Sequence, residues 1–348
     1  MHIRSAAGTY RVRLDSGLLA SLAKPCPNRI ILADDRFAPA LAGTQAVFLK
    51  ASEENKTLAS VERVSEAMRR MGANRTTNLM VIGGGAIQDV GAFVASVYMR
   101  GINWTLVPTT LLAMVDSCIG GKSSINVTGQ KNLLGTIHPP DEVVIDPAIA
   151  EGLAPEQRVA GLCEAAKICF ARSGRAFDRY LALVPGADAS GDHLKNVVAL
   201  SLASKKWFIE IDEFDRAERL LLNFGHTFGH AIEDASDFEI SHGVAVGLGI
   251  LVALRFTEAD GTMLGPRSQM LREHMHRLLS VLPDSTQTAS KLDPVRLLRA
   301  FETDKKHASG TFTVIAPDAQ DRLVRRVFPR EPAMEDRIVA SMTAALQR

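Results

Sequence analysis

Apolar positions follow two different rhythms along the chain. Up to about residue 150, short apolar runs alternate with helical patterns. Thr9–Leu14 alternates as a half-buried strand does, and RIILA at Arg29–Ala33 runs into Asp34-Asp35, a strand end followed by a turn. Thr57–Met71 sets Leu58, Val61, Val64, Met68 and Met71 on one helical face and stops near Gly72. Further strands are expected at Asn78–Ile82, running into Gly83-Gly84-Gly85, at Trp104–Val107 before Pro108, and at Val143–Ile145. Strand and helix in alternation predict a mostly parallel, doubly wound sheet. From Pro155 onward helical patterns follow one another over Glu156–Ala171, His193–Ile211, Leu220–Ala235, Gly243–Glu258 and Pro266–Leu282. Strands return only at Thr311–Ile315 and Leu323–Val327, and Ser280–Pro294 reads as a loop. The expectation is an α/β domain over residues 1–150 and a mainly α-helical domain over residues 151–348.

Composition narrows the function classes. With 46% hydrophobic and 23% charged residues among 348, the chain is ordinary for a globular protein with a large core. A formal net charge of +1 offers no general attraction for nucleic acid or an anionic membrane, so any anion must meet a local cluster of basic side chains. Cys26, Cys118, Cys163 and Cys169 show no C-x-x-C spacing and read as reduced thiols. The opening MHIRSAAGTYRVRL lacks the apolar core of a signal peptide, and no apolar run approaches a membrane span. A cytoplasmic protein without nucleic-acid or membrane partners is expected.

Two stretches carry candidate chemistry in the first half. Gly83-Gly84-Gly85-Ala86-Ile87-Gln88-Asp89 lies between a strand and a helix, where glycines admit a ligand to the backbone and helix amides favour phosphate. Alone it is a weak dinucleotide signal, because Gln88 takes the last glycine position of G-x-G-x-x-G. Support comes from VPTTLLAMVDSCIGGKSSINVTGQKNLLG, a long polar connection holding Thr109, Thr110, Asp116, Lys122, Lys131 and Asn132. A connection of that length in a compact domain usually lines a site.

In the second half, RLLLNFGHTFGHAIEDASDFEISHG holds His226, His230 and His242. If LNFGHTFGHAI is helical, His226 and His230 lie one turn apart, the spacing of two metal ligands on one helix. Thr227 stands where a zinc protease carries its glutamate, so no hydrolytic base is evident. Glu164 and Lys167, at i,i+3 in the apolar segment GLCEAAK, fit a lined pocket better than a surface ion pair, and Glu164 is an oxygen ligand able to join two histidines. Lys205, Lys206, Arg219 and Asn223 add polar groups nearby in sequence, and Asp304-Lys305-Lys306 precedes a strand.

In order, GGGAIQD, YMRG, VPTTLLAMVDSCIGGKSSIN, KNLLG, GLCEAAK, ERLLLNFGHTFGHAIE, SHG and DKK resemble the sugar phosphate cyclases, most closely the 3-dehydroquinate synthase family. The resemblance spans about residue 50 to residue 315. It implies an N-terminal dinucleotide-binding domain and a helical C-terminal metal-binding domain, with NAD and zinc (or cobalt) as cofactors, usually in a homodimer. It places metal ligation on Glu164, His226 and His242, and moves His230 to the substrate phosphate beside Lys122, Asn223 and one of Lys305 and Lys306. Arg100 corresponds to an arginine from the neighbouring subunit. Lys205 and Arg219 match carboxylate contacts, while Asp116, Asn132 and Lys167 match substrate-hydroxyl or catalytic-network positions. Asp34, Glu53, Lys56, Gly84, Gly85, Asp89, Thr109, Thr110 and Lys131 match NAD contacts. The implied small-molecule sugar phosphate substrate is 3-deoxy-D-arabino-heptulosonate 7-phosphate. Its C5 hydride leaves and returns, phosphate departs by β-elimination, and an aldol step closes the carbocycle, so the cofactor is not consumed.

Three departures stand out: Gln88 for glycine, Ser123-Ser124 for Thr-Gly, and Val244 for the glutamate of HGEAV. They leave open a related cyclase of specialised metabolism, forming aminodehydroquinate or using sedoheptulose 7-phosphate. Lys205 and Arg219 favour a carboxylated substrate. A metal-dependent polyol dehydrogenase shares the domain plan and would accumulate NADH.

Overall fold

The computed structural model describes residues 1–15, 17, 24, 26–304 and 307–347. The chain divides into two compact units, Met1–Leu153 with Ser190–Val198, and Ala154–Ala189 with Ala199–Arg348.

The first unit is built on a seven-stranded sheet of β1 (His2–Ser5), β2 (Gly8–Leu14), β3 (Arg29–Asp34), β4 (Ala46–Leu49), β5 (Asn78–Gly83), β6 (Trp104–Pro108) and β9 (Glu142–Ile145), in the order β1-β2-β9-β6-β5-β3-β4. Only the β1–β2 pair is antiparallel. The central strands β3, β5 and β6 are buried almost throughout, which is why they read as unbroken apolar runs. The short strands β1 and β4 are partly exposed and too weakly patterned to be legible. Helix α1 (Leu58–Arg70) starts where Thr57 Oγ1 accepts the Ser60 amide, and it buries Val61, Val64 and Met68. Helix α2 (Gly85–Val97) follows the glycine turn. Ile31, Ala33, Leu41, Met80, Ile82, Val107 and Val144 form one core cluster.

The long polar connection is not a loop. It folds into a π-helical turn, Ala113–Ser117, and an antiparallel hairpin of β7 (Lys122–Val127) and β8 (Gln130–Ile137). β7 alternates buried and half-exposed positions, whereas β8 is exposed along most of its length, so neither presents the apolar run that marks a strand.

The second unit is helical: α3 (Pro155–Arg172), α4 (Gly174–Ala182), most of α5 (Gly191–Ile211), α6 (His226–Ala235), α7 (His242–Ala259), α8 (Pro266–Leu279), α9 (Pro283–Ser290), α10 (Pro294–Glu302) and α11 (Pro332–Leu346), with the hairpin β10 (Thr311–Pro317) and β11 (Leu323–Pro329). Helix α7 is its centre, with α3, α6, α8 and α11 packed on it. By length and composition α7 could cross a membrane, but 78% of it is buried inside the protein, which marks a core helix. Two expectations fail here. Ser280–Pro294 contains α9, whose polar PDSTQTAS hides its helical character. The helix expected over Leu220–Ala235 is broken: Glu218–Asn223 is a 3-10 turn, Gly225 sits at φ 76°, and α6 begins only at His226. Helical spacing across Arg219, Asn223 and His226 therefore does not hold.

A polar chain runs from the exposed Arg277 in among these helices. Arg277 donates to His274 Nδ1 at 3.1 Å, so the ring proton sits on Nε2, 3.0 Å from the Tyr180 hydroxyl, which donates to the Leu162 carbonyl at 3.1 Å. Burial, with Arg277 beside it, pulls the His274 imidazole from 6.5 down to about 4. A depressed histidine contributes stability that is fully present above pH 6.5 and lost as pH falls towards 4, on the order of 3 kcal/mol in all. Denaturant titrations from pH 7 to pH 4 should show this loss. In His274→Gln it should flatten; an unchanged pH slope would show that His274 is not its source.

Candidate metal centre and dinucleotide turn

In the helical unit, α3 carries Glu164 and Lys167, only 1% and 2% exposed, paired through Glu164 Oε2 and Lys167 Nζ. The other carboxylate oxygen, Oε1, lies 3.6 Å from His226 Nε2 and 3.9 Å from His242 Nε2. One ligand atom from each of the three residues lies within 4.8 Å of the others. Donors around a tetrahedral zinc stand roughly 3.4 Å apart, so the set needs only slight contraction to hold one.

The tautomers also fit. His226 Nδ1 faces the Phe224 carbonyl at 3.4 Å, and His242 Nδ1 faces Glu233 Oε2 at 3.0 Å. Both partners can only accept, so each ring keeps its proton on Nδ1 and turns a lone pair on Nε2 towards Glu164. For His242, burial pulls the ring down, but the bond to Glu233 and the nearby Glu164 outweigh it and leave the imidazole above its ordinary value. His230 stands beside the group, its ring 5.5 Å from His226 and 5.6 Å from His242, but its Nδ1 faces Asp304 Oδ2 at 3.0 Å. It is not among the three converging donors.

Close helix packing makes the convergence possible. A Cβ on Gly249 would come within 2.1 Å of the Gly225 carbonyl and 2.6 Å of the Gly229 amide. One on Gly243 would strike the Ala160 carbonyl at 2.6 Å, and one on Gly247 the Cys163 sulfur at 2.6 Å. The buried Cys163 and Cys169 are packing residues, and burial pushes both thiols up, Cys169 to about 12.

Of the other positions in this unit, Lys205 and Arg219 are buried and Asn223 is half-buried. Arg219 is fixed by its own loop: Nη1 donates to the Glu213 carbonyl at 2.6 Å, and Nε meets Asp215 Oδ1 at 2.9 Å. The Asp212 carboxylate accepts the amides of Arg216, Ala217 and Arg219 at 2.7–3.1 Å. Burial raises Asp212, yet these bonds outweigh it and hold the carboxyl below its ordinary value. Lys305 and Lys306 lie outside the described residues.

In the first unit, Gly84 caps α2 without a side-chain bond, and a Cβ there would sit 2.7 Å from Thr110 Cγ2. Asp89, on α2, meets Lys56 Nζ at 2.8 Å and accepts both the amide and the hydroxyl of Ser124 at 3.0 Å. Burial, the largest influence, raises its carboxyl despite Lys56 and Ser124. Lys56 also donates to Asn132, which sits at φ 54°, and pairs with Glu53 at 3.6 Å. The network therefore joins Glu53, Lys56, Asp89 and Asn132. Asp89, Lys122, Ser123, Ser124, Asn132 and Thr136 line a groove of about 390 Å³. Asp116 lies in the π-helical turn, Lys131 on β8, and Arg100 is exposed at φ 73°. A larger concavity of about 430 Å³, among Cys26, Arg29 and Thr77, contains none of the expected site residues.

Two departures gain a physical role here. Gln88 bridges α2 to the turn carrying Asp116, donating to the Ser117 carbonyl at 2.6 Å and accepting its hydroxyl at 2.9 Å. Ser124 gives Asp89 a hydroxyl bond that a glycine could not. Val244 is fully buried, and Glu233 is the carboxylate on His242. The sequence reading missed Glu233, Asp212 and Asp304 as partners. Glu233 left a signal, one turn beyond His230 on the same helix face, and so did Asp304, the first residue of DKK.

The family model described as 3-dehydroquinate synthase N-terminal matches residues 46–160, and the one described as 3-dehydroquinate synthase C-terminal matches residues 161–307. A 3-dehydroquinate synthase of Latilactobacillus sakei is 35% identical over 76% of this chain and 79% of its own length. One of Streptococcus pneumoniae is 31% identical over 95% and 97%. Among solved structures, 2-deoxy-scyllo-inosose synthase complexed with carbaglucose-6-phosphate, NAD+ and Co2+ has a TM-score of 0.83 at 23% identity, covering 99% of both chains. A 2-epi-5-epi-valiolone synthase from Streptomyces hygroscopicus with NAD+ and Zn2+ bound has a TM-score of 0.79 at 24% identity, covering 97% of each. At these identities the two structures show the fold alone. The chain belongs to the sugar phosphate cyclase superfamily, in the family of 3-dehydroquinate synthase-like proteins.

Proposed function

We propose that this chain converts 3-deoxy-D-arabino-heptulosonate 7-phosphate to 3-dehydroquinate with release of phosphate, as a lyase of aromatic amino acid (shikimate) biosynthesis acting as a cytoplasmic homodimer. The observation that carries the reading is the convergence of Glu164, His226 and His242 in the same unit as a buried, loop-fixed Arg219. The names of the relatives above 30% identity support it. When bound, NAD takes up and returns a hydride and a zinc or cobalt ion polarises the reacting oxygen. Glu164, His226 and His242 hold the metal. Asp34, Glu53, Lys56, Gly84, Gly85, Asp89, Thr109, Thr110 and Lys131 hold the dinucleotide. Lys122, Asn223, His230, one of Lys305 and Lys306, and Arg100 of the neighbouring subunit grip the phosphate, while Lys205 and Arg219 grip the carboxylate. Asp116, Asn132 and Lys167 orient hydroxyls.

The full chain with NAD+ and zinc or cobalt should release phosphate from this substrate without a build-up of NADH absorbance. Turnover of sedoheptulose 7-phosphate or glucose 6-phosphate with the heptulosonate left untouched would overturn the assignment. Stoichiometric NADH accumulation would point instead to a polyol dehydrogenase.

Asp212→Asn should loosen the loop that aims Arg219. Steady-state kinetics should then show KM for the heptulosonate phosphate rising about tenfold, with a smaller change in kcat. An equal fall in kcat at unchanged KM would contradict a role confined to carboxylate binding.

A further inference from the structure

The C-terminal ends of β3, β5 and β6 lie side by side, with Ala33 opposite Ile82 and Gly83 opposite Pro108. The glycine turn opens from β5, so Asp34, at the end of the adjacent β3, holds the place from which a dinucleotide fold reads the adenosine ribose. In such folds an acid there takes the 2′-hydroxyl, whereas an arginine nearby accommodates a 2′-phosphate. This chain has both. Arg36 Nε meets Asp34 Oδ2 at 3.0 Å, and the Arg36 amide donates to Asp34 Oδ1 at 3.4 Å. Each oxygen of the acid is thus engaged by Arg36. The same guanidinium reaches across the end of β5 to β6, where Nη2 donates to Thr109 Oγ1 at 2.9 Å and to its carbonyl at 3.3 Å. Its carbon lies 4.7 Å from the centroid of the Phe37 ring.

We infer that Arg36 forms a 2′-phosphate subsite, so that the chain binds the 2′-phosphorylated dinucleotide NADP as well as NAD. A lone carboxylate at this position repels that phosphate. Here Asp34 is engaged by a guanidinium that the Thr109 bonds and the Phe37 ring hold in place, and Arg36 remains exposed on its outer side. Asp35, also exposed, is the opposing charge. Burial and the neighbouring Asp35 raise the Asp34 carboxyl even against Arg36.

The inference rests on the dinucleotide reading above, and calorimetric titration of the full chain with NAD+ and with NADP+ separates the two. If neither binds, the dinucleotide reading itself fails. If NAD+ binds and NADP+ is more than about thirtyfold weaker, only the present inference fails. Given binding of both, Arg36→Gln should raise the NADP-to-NAD Kd ratio at least fivefold, as expected for a lost charge-assisted phosphate contact. A smaller rise, or equal weakening of both ligands as loss of adenine stacking would give, overturns it. Should that variant not fold by circular dichroism, the unaltered chain decides. Its NADP-to-NAD Kd ratio should rise at least threefold between about 50 mM and about 500 mM KCl, as salt screens a phosphate contact made by the exposed Arg36, and an unchanged ratio overturns the inference.

Discussion

Gly249→Ala is expected to dismantle the metal centre without touching a ligand. The added methyl meets the Gly225 carbonyl at 2.1 Å and the Gly229 amide at 2.6 Å, both backbone atoms that no side-chain rotation can move. Helix α6, which begins at His226, must therefore shift away from α7, which begins at His242. Overpacking of this kind costs about 3 kcal/mol or more where the backbone itself is struck. For a chain of 348 residues that is roughly 4 °C in Tm. The more telling readout is metal content. The ligand set depends on separations of 3.6 and 3.9 Å, so a helix shift of about 1 Å should abolish stoichiometric zinc or cobalt binding. Retention of one metal per chain at unchanged Tm would show that the helix crossing is not what sets the site.

Glu164→Gln should have the second large effect, and a second substitution resolves its two parts. Glu164 is both a candidate ligand and the counter-charge of Lys167, and both are almost fully buried. Removing the carboxylate leaves the ammonium without its partner, a loss of about 3–5 kcal/mol. It also removes the one anionic donor of the triad, so metal binding and phosphate release should fall together by about a thousandfold or more. In Glu164→Gln with Lys167→Met the stranded charge is gone. Stability by denaturant titration should largely return, while metal content and activity stay lost. Recovery of metal binding in the double variant would mean that Glu164 acts only as a counter-ion.

These predictions rest on features of unequal legibility. The buried strands β3, β5 and β6 are evident as apolar runs because both faces of the sheet are covered. Their glycine turn is evident because a backbone that must approach Thr110 closely leaves no room for a side chain. The β7–β8 hairpin was hidden because β8 is exposed along most of its length and mixes Leu133, Leu134 and Ile137 with Gln130 and Asn132 without alternation. Gln88 and Ser124 look in sequence like weakened motif positions. Only their bonds to Ser117 and Asp89 show what they hold in place.

The histidine stretch separates the two sources of information. The sequence alone determined that imidazoles cluster near residues 226–242, that a carboxylate lies in an apolar helix at Glu164, and which family's motifs the chain carries. Helical spacing by itself paired His226 with His230, because it measures only the distance between neighbours on one helix. The tertiary structure decided which donors converge. Asp304, 74 residues beyond His230, engages its Nδ1, while Glu233 orients His242 and the glycines of α7 let α6 and α3 approach. Close packing between segments distant in sequence sets those distances, and no local pattern encodes it.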